Sequence, residues 1–421
     1  MIPRRVIVQC FLLGIRLANA AAKFALAVYM ARYLGLGDVG VFGLLVGATT
    51  GIQAVFGFGL SDWVTRKVVG LDRARAIPLA MARLTLSIGV EVVVQAVIWS
   101  LLAVLGFLPA PTTMLLIAGI LLLEHVAYDL YAIEIGRERT GPANLQFFLR
   151  SGAWPPVVIL VGLLVPSTRT LDMVLLGWLG GLLLMLASAL ATSLSGGRWR
   201  HLGFDWRGLD EGFRVGVPFW IAEIGQIGNL YLDRFLVSAF LGLELTGVYT
   251  FFWSYANVVH TLAVNGIVQP QVPKLVAADA SGDSRRFEAE RRRIMAESRV
   301  WGLLLAGGVG VALPVLLPWV DRPMLAENLW IFAIVLAATL ARMAADTAGF
   351  LLYSLHRDRE IATTSIAGVL VAAALNLALI PHLGILGAAV AYLLVGVVVT
   401  ALRLRLAQPT RPRIARAGAA E

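Results

Sequence analysis

Cysteine is almost absent from the sequence. Cys10 is the single cysteine among 421 residues, so the chain cannot form an intramolecular disulfide. The five histidines do not have the spacing of a zinc site. We therefore predict that the protein holds neither a metal ion nor another cofactor.

Charge is also scarce. Charged residues make up 14% of the chain, against roughly a quarter in soluble domains, and hydrophobic residues make up 59%. The mean hydropathy is +0.80. Several apolar runs reach the ~20 residues that a helix needs to cross a bilayer. This composition predicts an all-α integral membrane protein with many spans.

Signatures of nucleic-acid binding and of catalysis are missing as well. The net charge of +9 comes from basic residues dispersed among short loops, which is not the pattern of a nucleic-acid site. The sequence has no Walker A motif for ATP hydrolysis and no Gly-x-Ser-x-Gly elbow. We predict that the protein is not an enzyme and that no ATPase activity of its own drives transport.

An internal repeat organises the chain. The segment 34–42 returns without gaps at 241–249, with five of nine positions identical, so the two halves are related. Duplicated halves are common in membrane transporters. Six spans in each half would bring both halves into the membrane in the same direction. The predicted fold is therefore about twelve transmembrane helices in two parallel-repeat six-helix bundles around a central cavity.

Twelve apolar runs define the predicted spans and the domains. The spans are placed at 6–33, 41–61, 77–106, 112–135, 146–165, 172–194, 213–241, 247–269, 299–319, 328–353, 361–380 and 384–406. The predicted domains are an N-terminal bundle at 1–195, a cytoplasmic linker at 196–212, a C-terminal bundle at 213–406 and a basic, disordered tail at 407–421.

Lysine and arginine are distributed unevenly among the loops. One side of the predicted membrane holds 25 of them, and the other holds only Arg169 and Arg322. Basic loops stay on the cytoplasmic side, so we predict that both termini are cytoplasmic. The longest connector, 271–298, is predicted to form a charged helix along the inner membrane surface, near anionic lipid.

Polar residues within the spans are the candidates for function, because a charge at mid-membrane costs about 2.5–3.5 kcal/mol on insertion scales. In the first span, Arg16, Asn19 and Lys23 share one helix face. Glu223 follows Arg16 by 207 positions, at the equivalent place in the seventh span. This face is predicted to line a cavity and bind substrate, with an Arg16–Glu223 ion pair as the alternative. Two further arginines are predicted substrate contacts, Arg234 and Arg342.

Five carboxylates within the spans are predicted proton or sodium sites, because a low-dielectric medium disfavours the ionised form of a carboxylate. They are Glu91, Glu124, Asp129, Glu223 and Asp346. For each of them an ion pair with a basic residue is the alternative, and Arg342 stands four residues before Asp346. Arg83 and Arg214, near span ends, are predicted to extend toward water. Arg150 also lies near a span end, so for this residue both extension toward water and a functional role are open.

Short motifs at the turns, taken in order and with their spacing, resemble those of a known family. They are Ala31–Gly35, Gly40–Phe42, Gly57–Leu60, Leu232–Phe235 and Ile380–Ala389. The chain resembles the Wzx-like oligosaccharide flippases of the multidrug/oligosaccharidyl-lipid/polysaccharide (MOP) exporter superfamily. The resemblance extends over essentially the whole chain.

This resemblance implies alternating access between two six-helix bundles. The implied cargo is a polyprenyl-pyrophosphate-linked oligosaccharide, moved from the inner to the outer leaflet for O-antigen or exopolysaccharide biosynthesis. The implied location is a bacterial inner membrane. The implied partners are membrane lipids, H⁺ or Na⁺, and polysaccharide polymerase or assembly proteins. A cation-coupled, multidrug-type exporter of small molecules from the same superfamily is the alternative. The cations Arg16 and Lys23 favour an anionic pyrophosphate over a cationic drug.

Overall fold

Helices account for nearly the whole fold. The computed structural model of the chain describes residues 4–194 and 203–408, and this part contains no β-strand. The α-helices, in chain order, are α1 (Arg4–Tyr33), α2 (Leu36–Phe56), α3 (Leu60–Lys67), α4 (Arg73–Leu105), α5 (Pro111–Gly136), α6 (Thr140–Ser151), α7 (Trp154–Leu164), α8 (Leu171–Leu194), α9 (Trp206–Leu241), α10 (Leu243–His260), α11 (Val272–Ala280), α12 (Ser284–Val320), α13 (Pro323–Glu327), α14 (Leu329–Ser354), α15 (Asp358–Leu383) and α16 (Ile385–Leu406). A π-helix, Thr261–Val268, directly follows α10.

The predicted fold class is confirmed. Within the described residues, nine stretches are helical, long and apolar enough to cross a membrane: α2, α4, α5, α6 with α7, α8, α12, α14, α15 and α16. The other three predicted spans fall on α1, on α9, and on α10 with the π-helix. The chain is therefore an all-helical, multi-pass membrane protein. Its orientation in the membrane stays a prediction.

The internal repeat reappears as a shared turn geometry. Gly35 precedes α2 with a φ of 128°, and Gly242 precedes α10 with a φ of 83°. Residues with a side chain rarely adopt these angles, which explains why glycine recurs at both places. Gly59 and Gly266 also stand 207 positions apart, as do the two copies of the repeat. Their conformations differ, because Gly59 precedes α3 with a φ of 66° whereas Gly266 lies inside the π-helix.

The fifth predicted span consists of two helices in the structure. α7 starts at Trp154, which Pro155 and Pro156 follow, three residues after the end of α6. Proline is tolerated in the first turn of a helix and breaks a helix interior, so the interruption falls here. At the break, a Cβ on Gly152 would lie 1.5 Å from Oδ1 of Asn19, so only glycine permits this close packing of α1 on α6.

The charged connector before the ninth span is not a separate surface helix, and that prediction was wrong. The charged residues from Ser284 to Arg299 form the first turns of α12, a 37-residue helix that continues into the apolar span. Asp283 caps this helix by accepting hydrogen bonds from the backbone of Arg285 and Arg286 at 2.9 and 3.0 Å. A helix of this length extends about 55 Å and exceeds a hydrocarbon core of about 30 Å, so its charged start projects beyond the apolar layer.

The chain forms two compact units, Met1–Ile227 and Gly228–Glu421, here called the N-terminal and C-terminal units. The division lies inside α9. In the N-terminal unit, Trp63, Leu79 and Leu209 belong to one buried apolar cluster. In the C-terminal unit, Leu275 and Leu351 belong to another. The predicted domain boundaries stay a prediction, and most of the predicted linker and tail lies outside the described residues.

Candidate functional site

A stripe of polar side chains follows one face of α4. Arg83, Ser87, Glu91 and Gln95 recur every fourth residue, and each is at most 9% exposed. A spacing of four places side chains above one another on an α-helix. The opposite face of α4 exposes apolar residues: Val92, Val93, Val97, Leu101 and Val104. The helix therefore turns its polar face into the N-terminal unit and its apolar face outward.

Asp129 of α5 meets the first residue of this stripe. Its Oδ1 lies 3.1 Å from Nη2 of Arg83, and both side chains are 1% exposed. Ser61 donates to the same oxygen at 2.7 Å, and Ser87 donates to the other oxygen. The prediction that Arg83 extends toward water was wrong, because a carboxylate one helix away holds its guanidinium in the interior.

Glu91 pairs with a histidine of α5. Its Oε2 lies 3.1 Å from Nδ1 of His125, and the two side chains are 0% and 1% exposed. Gln95 donates to the other oxygen of Glu91 at 3.1 Å. The second ring nitrogen of His125, Nε2, has no hydrogen-bond partner among the described residues. Glu91 and His125 therefore form a buried carboxylate–imidazole pair between α4 and α5.

Glu124 makes the third buried pair of this unit. Its Oε2 accepts from Nε of Arg150 at 2.5 Å, and its Oε1 accepts from Nε1 of Trp178 at 2.6 Å. Trp178 is itself stacked on Trp154, with ring centroids 6.1 Å apart. Arg150 thus turns inward to a carboxylate and does not extend toward water.

The polar face of α1 is only partly described. The side chain of Arg16 lies outside the described residues, so neither its predicted substrate role nor its predicted pairing with Glu223 is tested. Asn19 is buried and donates from Nδ2 to Oγ of Ser151 at 3.2 Å, which is a packing contact between α1 and α6. Lys23 is exposed. Substrate binding by this face stays a prediction.

The C-terminal unit holds a buried arginine, two of whose side-chain donors have no hydrogen-bond partner among the described residues. Arg234 is 2% exposed, and its guanidinium carbon lies 3.8 Å from the ring centroid of Trp253 and 4.9 Å from that of Tyr231. Its Nε and Nη2 have no hydrogen-bond partner within the part of the chain that the structure describes. Unsatisfied buried donors of this kind call for a ligand, an ion or water.

Arg342 of α14 shares the same tryptophan. Its guanidinium carbon lies 5.9 Å from the centroid of Trp253. Its Nη1 donates to Oδ1 of Asn257 at 3.2 Å, and its Nε lies 3.8 Å from Asp346. The structure therefore brings the two predicted substrate arginines, Arg234 and Arg342, to one aromatic ring, with the predicted coupling residue Asp346 beside them.

Asp346 also pairs with a histidine. Its Oδ2 lies 2.8 Å from Nε2 of His260, the last residue of α10, where the π-helix begins. Short π-helical segments are frequent at functional sites. Nη1 of Arg403 lies 3.7 Å from Oδ1 of Asp346 and 3.1 Å from the carbonyl oxygen of Ala345. Asp346 is thus surrounded by one histidine and two arginines.

Sequence reasoning missed part of these clusters. Arg83 carried a usable signal, because it continues the four-residue spacing of Glu91 and Gln95 along one helix. His260 and Arg403 carried no such signal, since their partners are 86 and 57–58 residues away in the chain. Only the packing of α10, α14 and α16 brings these groups together.

No protein-family model and no curated protein matches this chain. Solved structures match over nearly its whole length. An inward-facing multidrug resistance MATE family transporter of the MOP superfamily is 14% identical, with a TM-score of 0.69 over 94% of this chain and 97% of that one. An outward-facing conformation of a multidrug resistance MATE family transporter is 14% identical, with a TM-score of 0.61 over 94% and 93%.

A third similar structure is a MOP superfamily transporter from Pyrococcus furiosus. It is 15% identical, with a TM-score of 0.60 over 94% of each chain, and the reverse polarity of its binding pocket suggests a different function for it. Identities this low establish the fold alone, and the Wzx-like subtype is not established by these similarities. The chain has the fold of the MOP superfamily transporters.

Proposed function

We propose that this protein is an alternating-access transporter. The observation that supports this most directly is the likeness of 94% of the chain to one fold solved in both inward-facing and outward-facing conformations. Alternating access needs two conformations of one protein whose populations the cargo and the coupling ion can shift.

Two cargoes are candidates. Two of the similar structures are multidrug resistance transporters, and they favour the small-molecule exporter more directly than the flippase. The Pyrococcus furiosus structure, whose binding pocket has reverse polarity, indicates that this fold accommodates binding pockets of more than one polarity. The cargo must therefore be argued from the side chains of this chain.

The side chains around Trp253 favour an anionic cargo. Arg234 and Arg342 both lie within 6 Å of the ring, and Arg234 keeps two donors without an acceptor among the described groups. A phosphate oxygen would satisfy those donors, because a guanidinium fork matches phosphate geometry. A cationic drug that carries no acceptor atom would leave those donors unsatisfied. We therefore propose the polyprenyl-pyrophosphate-linked oligosaccharide as cargo, with the small-molecule exporter as the second candidate.

Reconstituted vesicles test both cargoes side by side. One set contains a fluorescent polyprenyl-pyrophosphate disaccharide, whose movement between leaflets is followed with an impermeant quencher. A second set measures transport of the cationic dye ethidium. We expect protein-dependent movement of the lipid and none of the dye. Dye transport without lipid movement would assign the protein to the small-molecule exporters, and no transport of either would contradict the proposal.

The pairing partners narrow the candidates for energy coupling. Arginine stays protonated under all physiological conditions, so the carboxylates of Glu124 and Asp129 are held by permanent cations. Histidine gains and loses a proton near neutral pH. We infer that the two carboxylates whose nearest charged partner is a histidine are the proton-exchanging sites. They are Glu91, with His125 at 3.1 Å, and Asp346, with His260 at 2.8 Å and two arginines farther away at 3.7 and 3.8 Å. Sodium coupling is the alternative for the same carboxylates.

Substitutions that remove one carboxylate at a time separate the two classes of pair. In vesicles with an imposed proton gradient, Glu91→Gln and Asp346→Asn should each lower the gradient-driven rate about tenfold or more, the scale of a lost proton-transfer group. Glu124→Gln removes an arginine-paired carboxylate and serves as the control. It should reduce the amount of folded protein and leave the gradient dependence of each folded molecule intact. Equal gradient dependence in all three variants would contradict this assignment.

A further inference from the structure

A basic pocket lies between the ends of two helices of the C-terminal unit. It has a volume of about 340 Å³ and is formed by the charged start of α12 and the end of α16. Its lining consists of Arg291, Arg292, Met295, Arg299, Leu404, Arg405 and Gln408. Neither the proposed cargo site nor the proposed coupling pairs include any of these residues.

Positive charge exceeds negative charge around the pocket. Glu288 accepts from Nε of Arg291 at 2.6 Å and from Nε of Arg292 at 2.8 Å. These bonds lower the pKa of Glu288 to about 2, so it stays ionised and orders both guanidiniums. Arg299 donates to a carbonyl oxygen of its own helix at 3.1 Å, and no described carboxylate forms an ion pair with it or with Arg405. Two of the four lining arginines therefore share one carboxylate, and the other two have no ion-pair partner among the described residues.

The pocket lies where both helices change from apolar to charged. α12 is charged up to Arg299 and apolar after it, and α16 is apolar up to its last turn, which contains Arg405. Met295 and Leu404 place apolar side chains in the same lining as the guanidiniums. A ligand with an anionic group next to hydrocarbon matches this combination, whereas a free anion matches only the charged part.

We propose that this pocket binds the phosphate headgroup of an anionic phospholipid. Guanidinium groups bind phosphate oxygens in bidentate pairs. Basic pockets between helix ends bind anionic headgroups at the membrane surface. The apolar side chains accommodate the glycerol and acyl region next to the phosphate. A lipid held in this way joins the start of α12 to the end of α16, independently of the cargo.

The experiment compares two double variants that remove equal charge. Arg299→Gln with Arg405→Gln removes two exposed lining arginines. Arg285→Gln with Arg286→Gln removes two exposed arginines from the same charged segment, outside the lining. Each purified protein is placed in nanodiscs of phosphatidylcholine with a small fraction of phosphatidylglycerol, and the phosphatidylglycerol retained after detergent exchange is measured by native mass spectrometry. Gel filtration confirms that each variant is folded and monodisperse.

We expect the lining variant to retain about tenfold less phosphatidylglycerol than the unmodified protein, since each surface arginine contributes severalfold to binding of anionic lipid. The control variant should retain nearly as much as the unmodified protein. Equal losses of phosphatidylglycerol in both variants would mean that the whole basic segment attracts anionic lipid, and would overturn the proposal of a specific binding pocket. A third arm adds inorganic phosphate at millimolar concentration. Binding of that ion without any preference for phosphatidylglycerol would overturn the lipid assignment.

Discussion

Arg234→Ala should abolish or sharply reduce transport of the anionic cargo while the protein still inserts and accumulates normally. The buried guanidinium keeps two donors without acceptors in the described part of the chain, next to the ring of Trp253. Hydrogen bonds to a charged group contribute about 1.5–3 kcal/mol, which corresponds to roughly a tenfold to hundredfold loss. The vesicle assay with the fluorescent polyprenyl-pyrophosphate disaccharide measures this rate directly.

Two further variants separate substrate binding from packing. Arg234→Lys keeps the charge and loses the planar fork, so partial transport should remain. Arg66→Ala is the matched control, because Arg66 also lies over an aromatic ring, 4.4 Å from the centroid of Phe219, but is exposed. It should transport at nearly the normal rate. If Arg234→Ala transports normally, the anionic-cargo proposal loses its main support.

Asp129→Ala should cost the N-terminal unit about 3–5 kcal/mol, as expected when one partner of a buried ion pair is removed. The change leaves the guanidinium of Arg83, which is 1% exposed, without its carboxylate. Ser61 and Ser87 lose their acceptor at the same time. Because whole proteins are stable by only about 5–15 kcal/mol, we expect little folded protein. The yield of monodisperse protein and the thermal unfolding midpoint in detergent measure the loss.

A control and a rescue accompany this prediction. Glu211→Ala breaks a pair with Lys67, in which the two side chains are 55% and 41% exposed, and should cost about 1 kcal/mol or less. Replacing both Arg83 and Asp129 with leucine removes the buried charges together and should restore much of the lost stability. An unchanged unfolding midpoint in Asp129→Ala would mean that Arg83 does not depend on this carboxylate.

Most of the architecture was predictable because membrane insertion depends on local composition. A helix that satisfies its own backbone hydrogen bonds and exposes apolar side chains can span a bilayer wherever it is placed. For this reason the predicted spans fall on helices of the structure, and Gly35 and Gly242 mark equivalent turns. The prediction separated the charged segment from the span that starts at residue 299. In the structure both belong to α12, because nothing in the sequence between Ser284 and Val300 interrupts the helix.

The pairing of charges was not predictable to the same degree. A carboxylate within a span needs a partner, but the partner comes from whichever helix packs against it. For Asp346 the sequence offered Arg342, which lies 3.8 Å away. The closer histidine of Asp346, His260, and the partners of Glu91 and Glu124, which are His125 and Arg150, follow only from the packing. The distinction between arginine-paired and histidine-paired carboxylates follows from that packing alone.

The sequence by itself determined the helical class, the predicted spans and the duplicated turn, because each depends on residues that are neighbours in the chain. The tertiary structure decided which buried charges neutralise each other and which, like Arg234, keep unpaired donors among the described residues. Those outcomes depend on contacts between helices that are distant in the chain, since a buried charge is stable only where the fold supplies its partner.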